Sequence, residues 1–356
     1  IGLANDTISP SRMIAWAWYV YVESFGSLVV ALFWAIVTDI TDPKVAQRGF
    51  FLTGLIGQIG NIFGPYFLRA QKLGFSHSGP VVALCAVLMV VTLLLFYLFI
   101  RSVPRNQLIG YQVARPADAH KEKETEPGFF EGLKILVSHT YLLGIFFIIT
   151  AYEIIVTIFD VHFKSTVELV YKAQALLTNV KVEALVGDFL GIYASSVGVV
   201  ATCCIIFGIG NVQRKLGMTI SLILLPILVG AAALFIKFNP ASLWVGFVVM
   251  VSAKAINYAL NQPTMKQLYI PTSKDAKYKS QAWLEMFGSR VSKAGGSFVN
   301  GIRGPLTGAY GKAIGLNYFL TLAVLISFGL IAIWIPIVLH VSRIYRKAIK
   351  EDRLVC

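Results

Sequence analysis

Ionisable and amide side chains recur inside stretches of this 356-residue chain that are otherwise built from Leu, Ile, Val and Phe. Glu23 lies ten residues into one such stretch (13–37), and Glu153 is central in another. Asp160 follows Glu153 by seven positions, which places both on one helical face. Lys254, Asn257 and Asn261 fall at i, i+3 and i+7. Glu285, Ser289 and Lys293 fall at i, i+4 and i+8, with Arg290 and Asn300 beside them. Gly54, Gly57, Gln58, Asn61 and Pro65 share a face of a further segment. A charged group at the bilayer centre costs about 2.5–3.5 kcal/mol on insertion scales, so each must face a partner or a polar cavity. Lysine and arginine in such a cavity suit a phosphate or another anion through charge-assisted hydrogen bonds. Carboxylates there either neutralise those cations or titrate. A structural reading stands beside each of these. The glycines at 54–64 let helices approach closely, Lys293 has Glu285 and Ser289 on its own helix, and Glu23 and Glu153 can each neutralise a buried cation. Lys254 has no carboxylate on its own segment.

Other chemistry finds no pattern. The four cysteines, Cys85, Cys203, Cys204 and Cys356, form neither a metal spacing nor a disulfide framework, and the five histidines make no HxxxH-type pair. No Walker motif or nucleophile–base spacing occurs. No metal, cofactor or enzymatic activity is therefore expected. The net charge of +13 is gathered at the ends of apolar stretches, which fits an anionic membrane surface rather than nucleic acid.

The elements that must position these residues are membrane helices. Hydrophobic residues make up 56% of the chain and charged ones 14%, whereas soluble domains carry about 25% charged residues. Nine stretches are long enough to cross a ~30 Å hydrocarbon core as helices: 13–37, 48–68, 79–100, 139–162, 188–210, 218–237, 241–263, 281–303 and 316–342. The segment 101–128 is polar and proline-containing and reads as a linker. FFEGLKILVS (129–138) follows as an amphipathic elbow along the interface.

A cytoplasmic linker collects eighteen Lys/Arg on its own side against nine on the other, which puts the linker and the basic tail 343–356 in the cytoplasm. It puts Ile1 outside. Ile1 is not an initiator methionine, and three further upstream helices would complete a plan of six plus six. That plan is the arrangement of major-facilitator-like carriers, which pair two six-helix halves. GNVQRKLG (210–217), read as a tight loop, resembles the G-x-x-x-[DN]-R-x-G motif of that superfamily. The expected organisation is a second three-helix repeat over 1–100, linker and elbow over 101–138, a six-helix half over 139–342 and the tail.

Three stretches carry a closer resemblance. In ALNQPTMKQLYIPTSKDAKYKSQAWLEMFGSRVSKAGGS (259–297) and the Tyr258 that precedes it, Tyr258, Leu260, Pro263, Tyr269, Ile270 and Pro271 match a Y-x-L-x-D-P-x-K-E-M-x-Y-I-P pattern. Lys277 and Lys279 match K-x-K-x-K, and Lys293, Gly295 and Gly296 match a G-K-S-G-G-like turn. SFGSLVVALFWAIVTDIT (24–41), preceded by Glu23, is similar to E-L-W-G-S-V-V-x-S-L-L-F-W-x-F-A-N-x-I-T. ITAYEIIVTIFDVHFKS (149–165) and GDFLGIYASSVGVV (187–200) place Glu153 where a membrane-embedded glutamate is expected. In these features the chain resembles the nucleotide transporter (ATP/ADP translocase) family of plastids and intracellular bacteria, in collinear order from that family's fourth helix. It departs from the pattern at Gln262, Met265, Lys266 and Gln281, where the family carries an acid, a lysine, a glutamate and a lysine.

The resemblance implies an all-α, major-facilitator-like antiporter that exchanges nucleotides, ATP for ADP, by alternating access. Proton- or ion-coupled carriage of another nucleotide, NAD or another organic anion stays open as the alternative. The residues expected to bind substrate are Lys254, Arg290 and Lys293 at the phosphates, Lys266 at the cytoplasmic mouth, Glu23, Glu153 and Asn257 as internal partners, and Asn61. The expected partners are nucleotides and the lipid bilayer, with the protein monomeric. The expected location is the inner membrane of an intracellular bacterium or the plastid inner envelope.

Overall fold

A backbone surrounded by hydrocarbon has no water to bond, so each crossing segment must satisfy its own amides and carbonyls as a helix. The computed structural model describes residues 56–69, 72–75, 79–103, 129–178, 180–207, 210–269, 271–272, 283–284, 288–351 and 355, with the positions 13, 17, 21, 22, 25, 26, 29 and 33. Every element among them is helical. In chain order they are α1 (56–67), α2 (Gly79–Ser102), α3 (Phe129–Ser138), α4 (Thr140–Ala175), α5 (Val182–Ile206) and α6 (Gly210–Phe238). They continue with α7 (Leu243–Ile256), a π turn (Asn257–Asn261), α8 (Gln262–Gln267), α9 (Ser289–Gly301), α10 (Arg303–Tyr310) and α11 (Lys312–Glu351). Among the described residues, six helices are long and apolar enough to cross a membrane: α2, α4, α5, Lys215–Phe238, Leu243–Asn261 and α11. The protein is an all-α polytopic membrane protein.

The chain divides into two units, one of Ile1–Gly54 with Val90–Lys123 and one of Leu55–Met89 with Glu124–Cys356. In the first, the described positions from 13 to 33 are helical and exposed, and the rings of Tyr21 and Phe25 stack at 6.1 Å. The second holds α1, α3 to α11 and the start of α2.

In the second unit the helices are held by close packing, because lipid tails solvate apolar side chains as well as a neighbouring helix does. α4 runs through the middle of this packing and touches α3, α5, α6, α7, α9 and α11. Tyr141, near its start, donates its hydroxyl to the carbonyl of Leu268 beyond α8 at 2.7 Å. α11 buries Phe319, Leu320, Trp334 and Val338 completely. α9 lies against α4 through small residues. A Cβ at Gly296 would stand 2.7 Å from Thr157 Cβ and 2.9 Å from the Ile154 carbonyl oxygen.

Several elements differ from the sequence expectation. The loop expected between 162 and 188 is a helical hairpin, because α4 continues to Ala175 and α5 begins at Val182. The continuation is amphipathic. Phe163, Val167 and Tyr171 recur every four residues, Tyr171 meets Phe189 at 5.5 Å, and Glu168 pairs with Lys172 at 2.6 Å. The tight loop expected at 210–217 is a helix that breaks at Gly217, whose φ of 81° and ψ of 169° only glycine adopts readily. The segment 241–263 is an α-helix only to Ile256. The eighth stretch, expected at 281–303, is described as α9 and α10, meeting at Ile302 and ending at Gly311, which has φ 81°. The helix expected over 316–342 extends at both ends and takes in much of the basic tail. Most of the first stretch and of 101–128 lies outside the described residues.

Candidate functional site

Two helices of the second unit meet where each contributes a partly buried charge. On α4, Asp160 sits three residues after Thr157, with 13% of its side chain exposed. On α7, Lys254 lies eleven residues after Leu243, with 25% exposed. Lys254 Nζ donates to Asp160 Oδ1 at 2.7 Å, and Lys164 Nζ pairs with Asp160 Oδ2, also at 2.7 Å. Each carboxylate oxygen thus has its own lysine. The cluster of two ammonium groups and one carboxylate carries a net charge of +1.

Aromatic rings line one side of it. Lys254 Nζ is 5.3 Å from the centroid of the Tyr193 ring on α5, a cation–π arrangement. Tyr193 contacts Phe163 at 5.1 Å and Phe247 at 6.0 Å, and Phe189 joins Phe247 at 5.6 Å. Gly246 makes this possible: a Cβ there would meet the Phe163 ring at 2.8 Å. Charges beside such a wall are poorly hydrated, so their partners must come from the protein or a ligand.

One residue after Ile256 the helical ladder widens. The amide of Gln262 donates to the carbonyl of Asn257, five residues back, and this closes the π turn. Pro263 has no N–H to contribute, so a defect in the ladder near it is required by covalent chemistry. Asn257 and Asn261 keep a common face through the turn: Asn261 Nδ2 donates to Asn257 Oδ1 at 2.9 Å, and both residues are buried. Asn261 Oδ1 finds no donor among the described residues and remains a buried acceptor.

The other expected site residues distribute around α4. Glu153 is half-buried on α4, adjacent to Ile154, whose carbonyl faces Gly296. Arg290 and Lys293 are half-buried on α9, the helix that packs on α4 through Gly296 and through Asn300, whose Nδ2 donates to the Thr157 carbonyl at 3.3 Å. α4 is therefore the common element, bearing Glu153 and Asp160, with α7 and α9 both packed on it. Asn61 is exposed on α1, where its Nδ2 faces Gly198 of α5. Glu23, Glu285 and the side chain of Lys266 lie outside the described residues. A groove of about 650 Å³ runs between α1, α5 and α7, walled by Ile62, Phe63, Ile192 and Val248 among others. None of the expected site residues among those described lines it.

The helix that carries Lys254 has no carboxylate, and its counter-ion comes from α4. Asp160 was visible as a polar residue in an apolar stretch, but its partner comes from tertiary packing. Tyr193 carried no signal among so many aromatic residues.

The family model for the TLC ATP/ADP transporter matches residues 11–241 and 231–345. The ADP,ATP carrier protein 1 of Rickettsia prowazekii is 25% identical over 94% of this chain and 70% of its own length. The ADP,ATP carrier protein 1 of Chlamydia pneumoniae is 25% identical over 95% of this chain and 69% of its own. The chloroplastic ADP,ATP carrier protein 2 of Arabidopsis thaliana is 27% identical over 79% of this chain and 47% of its own. No solved structure matches the chain.

Proposed function

This chain belongs to the TLC ATP/ADP transporter family, and on that premise we propose that it exchanges nucleotides, ATP for ADP, across a membrane by alternating access. It is a transporter and not an enzyme. The observation that carries the reading is the cationic cluster inside the helical bundle, where Lys254 and Lys164 share one carboxylate and leave an excess positive charge beside an aromatic wall. A polyphosphate is the kind of ligand that such ammonium groups recognise.

In this reading Lys254, Arg290 and Lys293 take the phosphates, Asn257, Glu153 and Glu23 are their internal partners, Asn61 contributes from α1, and Lys266 serves the cytoplasmic mouth. The chain comprises a three-helix repeat over 1–100, a cytoplasmic linker and elbow over 101–138, a six-helix half over 139–342 and a cytoplasmic tail. Substrate alternates sides as the two halves rock about a central site. The carrier works as a monomer in the inner membrane of an intracellular bacterium or the plastid inner envelope.

The test is reconstitution of the protein into liposomes and measurement of labelled ATP, ADP and NAD uptake, with and without internal nucleotide. Uptake that requires internal nucleotide supports exchange. Uptake that follows an imposed pH gradient and ignores internal nucleotide refutes it and supports proton coupling.

A further inference from the structure

Asp160 is absent from the residues expected to bind substrate, yet both lysines of the cluster converge on it. Its two oxygens are divided between them: Oδ1 accepts from Lys254 on α7, and Oδ2 is paired with Lys164, one turn further along α4. The two lysines differ in setting. Lys254 is three-quarters buried against Tyr193, whereas Lys164 is 52% exposed.

Building on the nucleotide-exchange reading above, we propose that Asp160 is a positioning residue that occupies Lys254 in the empty carrier and yields it to substrate phosphate, keeping Lys164 as its own partner. A carboxylate oxygen and a phosphoryl oxygen are equivalent acceptors for an ammonium group. One can therefore replace the other at Lys254 Nζ without changing that site's geometry. The replacement would be prohibitive if it left a buried carboxylate with no cation, because an uncompensated buried charge is strongly destabilising. Lys164 removes that obstacle. It already holds the second oxygen at 2.7 Å, so Asp160 can release Lys254 without losing its neutralising partner. Lys164 also offsets the repulsion between Asp160 and the incoming phosphate. The rings of Phe163, Tyr193 and Phe247 pack beside the pair, so water is a poor substitute for either acceptor. Lys254 passes from one anion to another and is not left bare.

The two partners of Asp160 should then move substrate affinity in opposite directions. Asp160→Asn removes the resident competitor, so the KM for external ATP should fall about tenfold, and the maximal exchange rate should fall as well because release now has no replacement anion. Lys164→Gln leaves Asp160 dependent on Lys254, so KM should rise about fivefold. In the Asp160→Asn background, Lys164→Gln should have no further effect on KM, because Lys164 acts through the carboxylate. The measurement is labelled ATP uptake into liposomes preloaded with ADP, for the full chain and each variant, with thermal unfolding of the same preparations in detergent. A shared direction of the two KM changes, or a Lys164→Gln effect that persists without the carboxylate, would mark the pair as structural and overturn the proposal. Should Asp160→Asn not fold, Lys164→Gln at its half-exposed position decides alone, and an unchanged KM overturns the proposal. Wild-type vesicles that take up no nucleotide against internal ADP would overturn nucleotide exchange itself, and this proposal with it. Exchange without the opposed KM pattern overturns only the role of Asp160.

Discussion

Replacing Gly296 by alanine should separate α9 from α4, and replacing its neighbour Gly295 should not. At Gly296 the added Cβ falls 2.7 Å from Thr157 Cβ, 3.0 Å from Thr157 Cγ2 and 2.9 Å from the Ile154 carbonyl oxygen. Ordinary carbon–carbon contacts lie at about 3.5–4.0 Å, so α9 must retreat by roughly 0.8–1.3 Å. Rotating Thr157 does not help, since its Cβ and the Ile154 carbonyl are fixed to the α4 backbone. Overpacking of this kind costs about 1–3 kcal/mol, partly offset by the gain of about 0.5–1 kcal/mol when alanine replaces glycine within a helix. The net expectation is a loss of about 1–2 kcal/mol. At Gly295 the nearest atoms are those of Ile154 at 3.7 Å, an ordinary contact, so only the helical gain remains. The retreat would also stretch the 3.3 Å bond from Asn300 to the Thr157 carbonyl and carry Arg290 and Lys293 away from α4. Thermal unfolding in detergent should thus place Gly296→Ala below the wild type and Gly295→Ala at or above it, with nucleotide exchange weakened only in the former. If Gly296→Ala melts no lower than Gly295→Ala, the close approach of α9 to α4 is not what holds this part of the bundle.

Gly217→Ala should destabilise by about 1–3 kcal/mol from backbone strain alone, since no atom of the described residues lies within 4 Å of the added Cβ; an unshifted melting temperature would contradict the kink. Glu168→Ala breaks an ion pair in which both side chains are about half exposed, so it should change stability by no more than about 0.5 kcal/mol, as read by the same melt. Lys293→Ala should chiefly raise the KM for nucleotide, and a fall in maximal rate with KM unmoved would remove it from the binding step. Glu153→Gln should alter the ratio of exchange to net efflux from preloaded liposomes, and equal ratios in wild type and variant would deny it a part in coupling.

Residue type and spacing were enough to reveal the helical class, because a run such as Gly79–Ser102 allows few other conformations in lipid. They placed the ends of that helix within two residues. They failed where polarity rises while the helix continues. Lys164, Glu168 and Lys172 look like a loop to a hydropathy argument, yet their four-residue spacing and the apolar face of Phe163, Val167 and Tyr171 keep α4 intact. The π turn carries no sequence signal beyond Pro263, while the bond between Asn257 and Asn261 follows their four-residue spacing. Lys254 has no carboxylate on its own helix, and its partner Asp160 stands 94 residues away in sequence. A pairing of that range depends on how α4 and α7 pack, which no local pattern contains.

The continuity of α4 has a mechanical consequence. The helix has 36 residues, about 54 Å at 1.5 Å per residue, against a hydrocarbon core of about 30 Å. One end of it therefore stands clear of the bilayer, stiffened by α5 through the contacts of Phe163 and Tyr171 with Phe189. Leu176, just past the end of the helix, is sixteen residues from Asp160, so a 10° tilt of α4 about the charge cluster sweeps it through about 4 Å. The hairpin is a lever, and a reporter group at its tip would magnify movements too small to resolve at the ion pair itself.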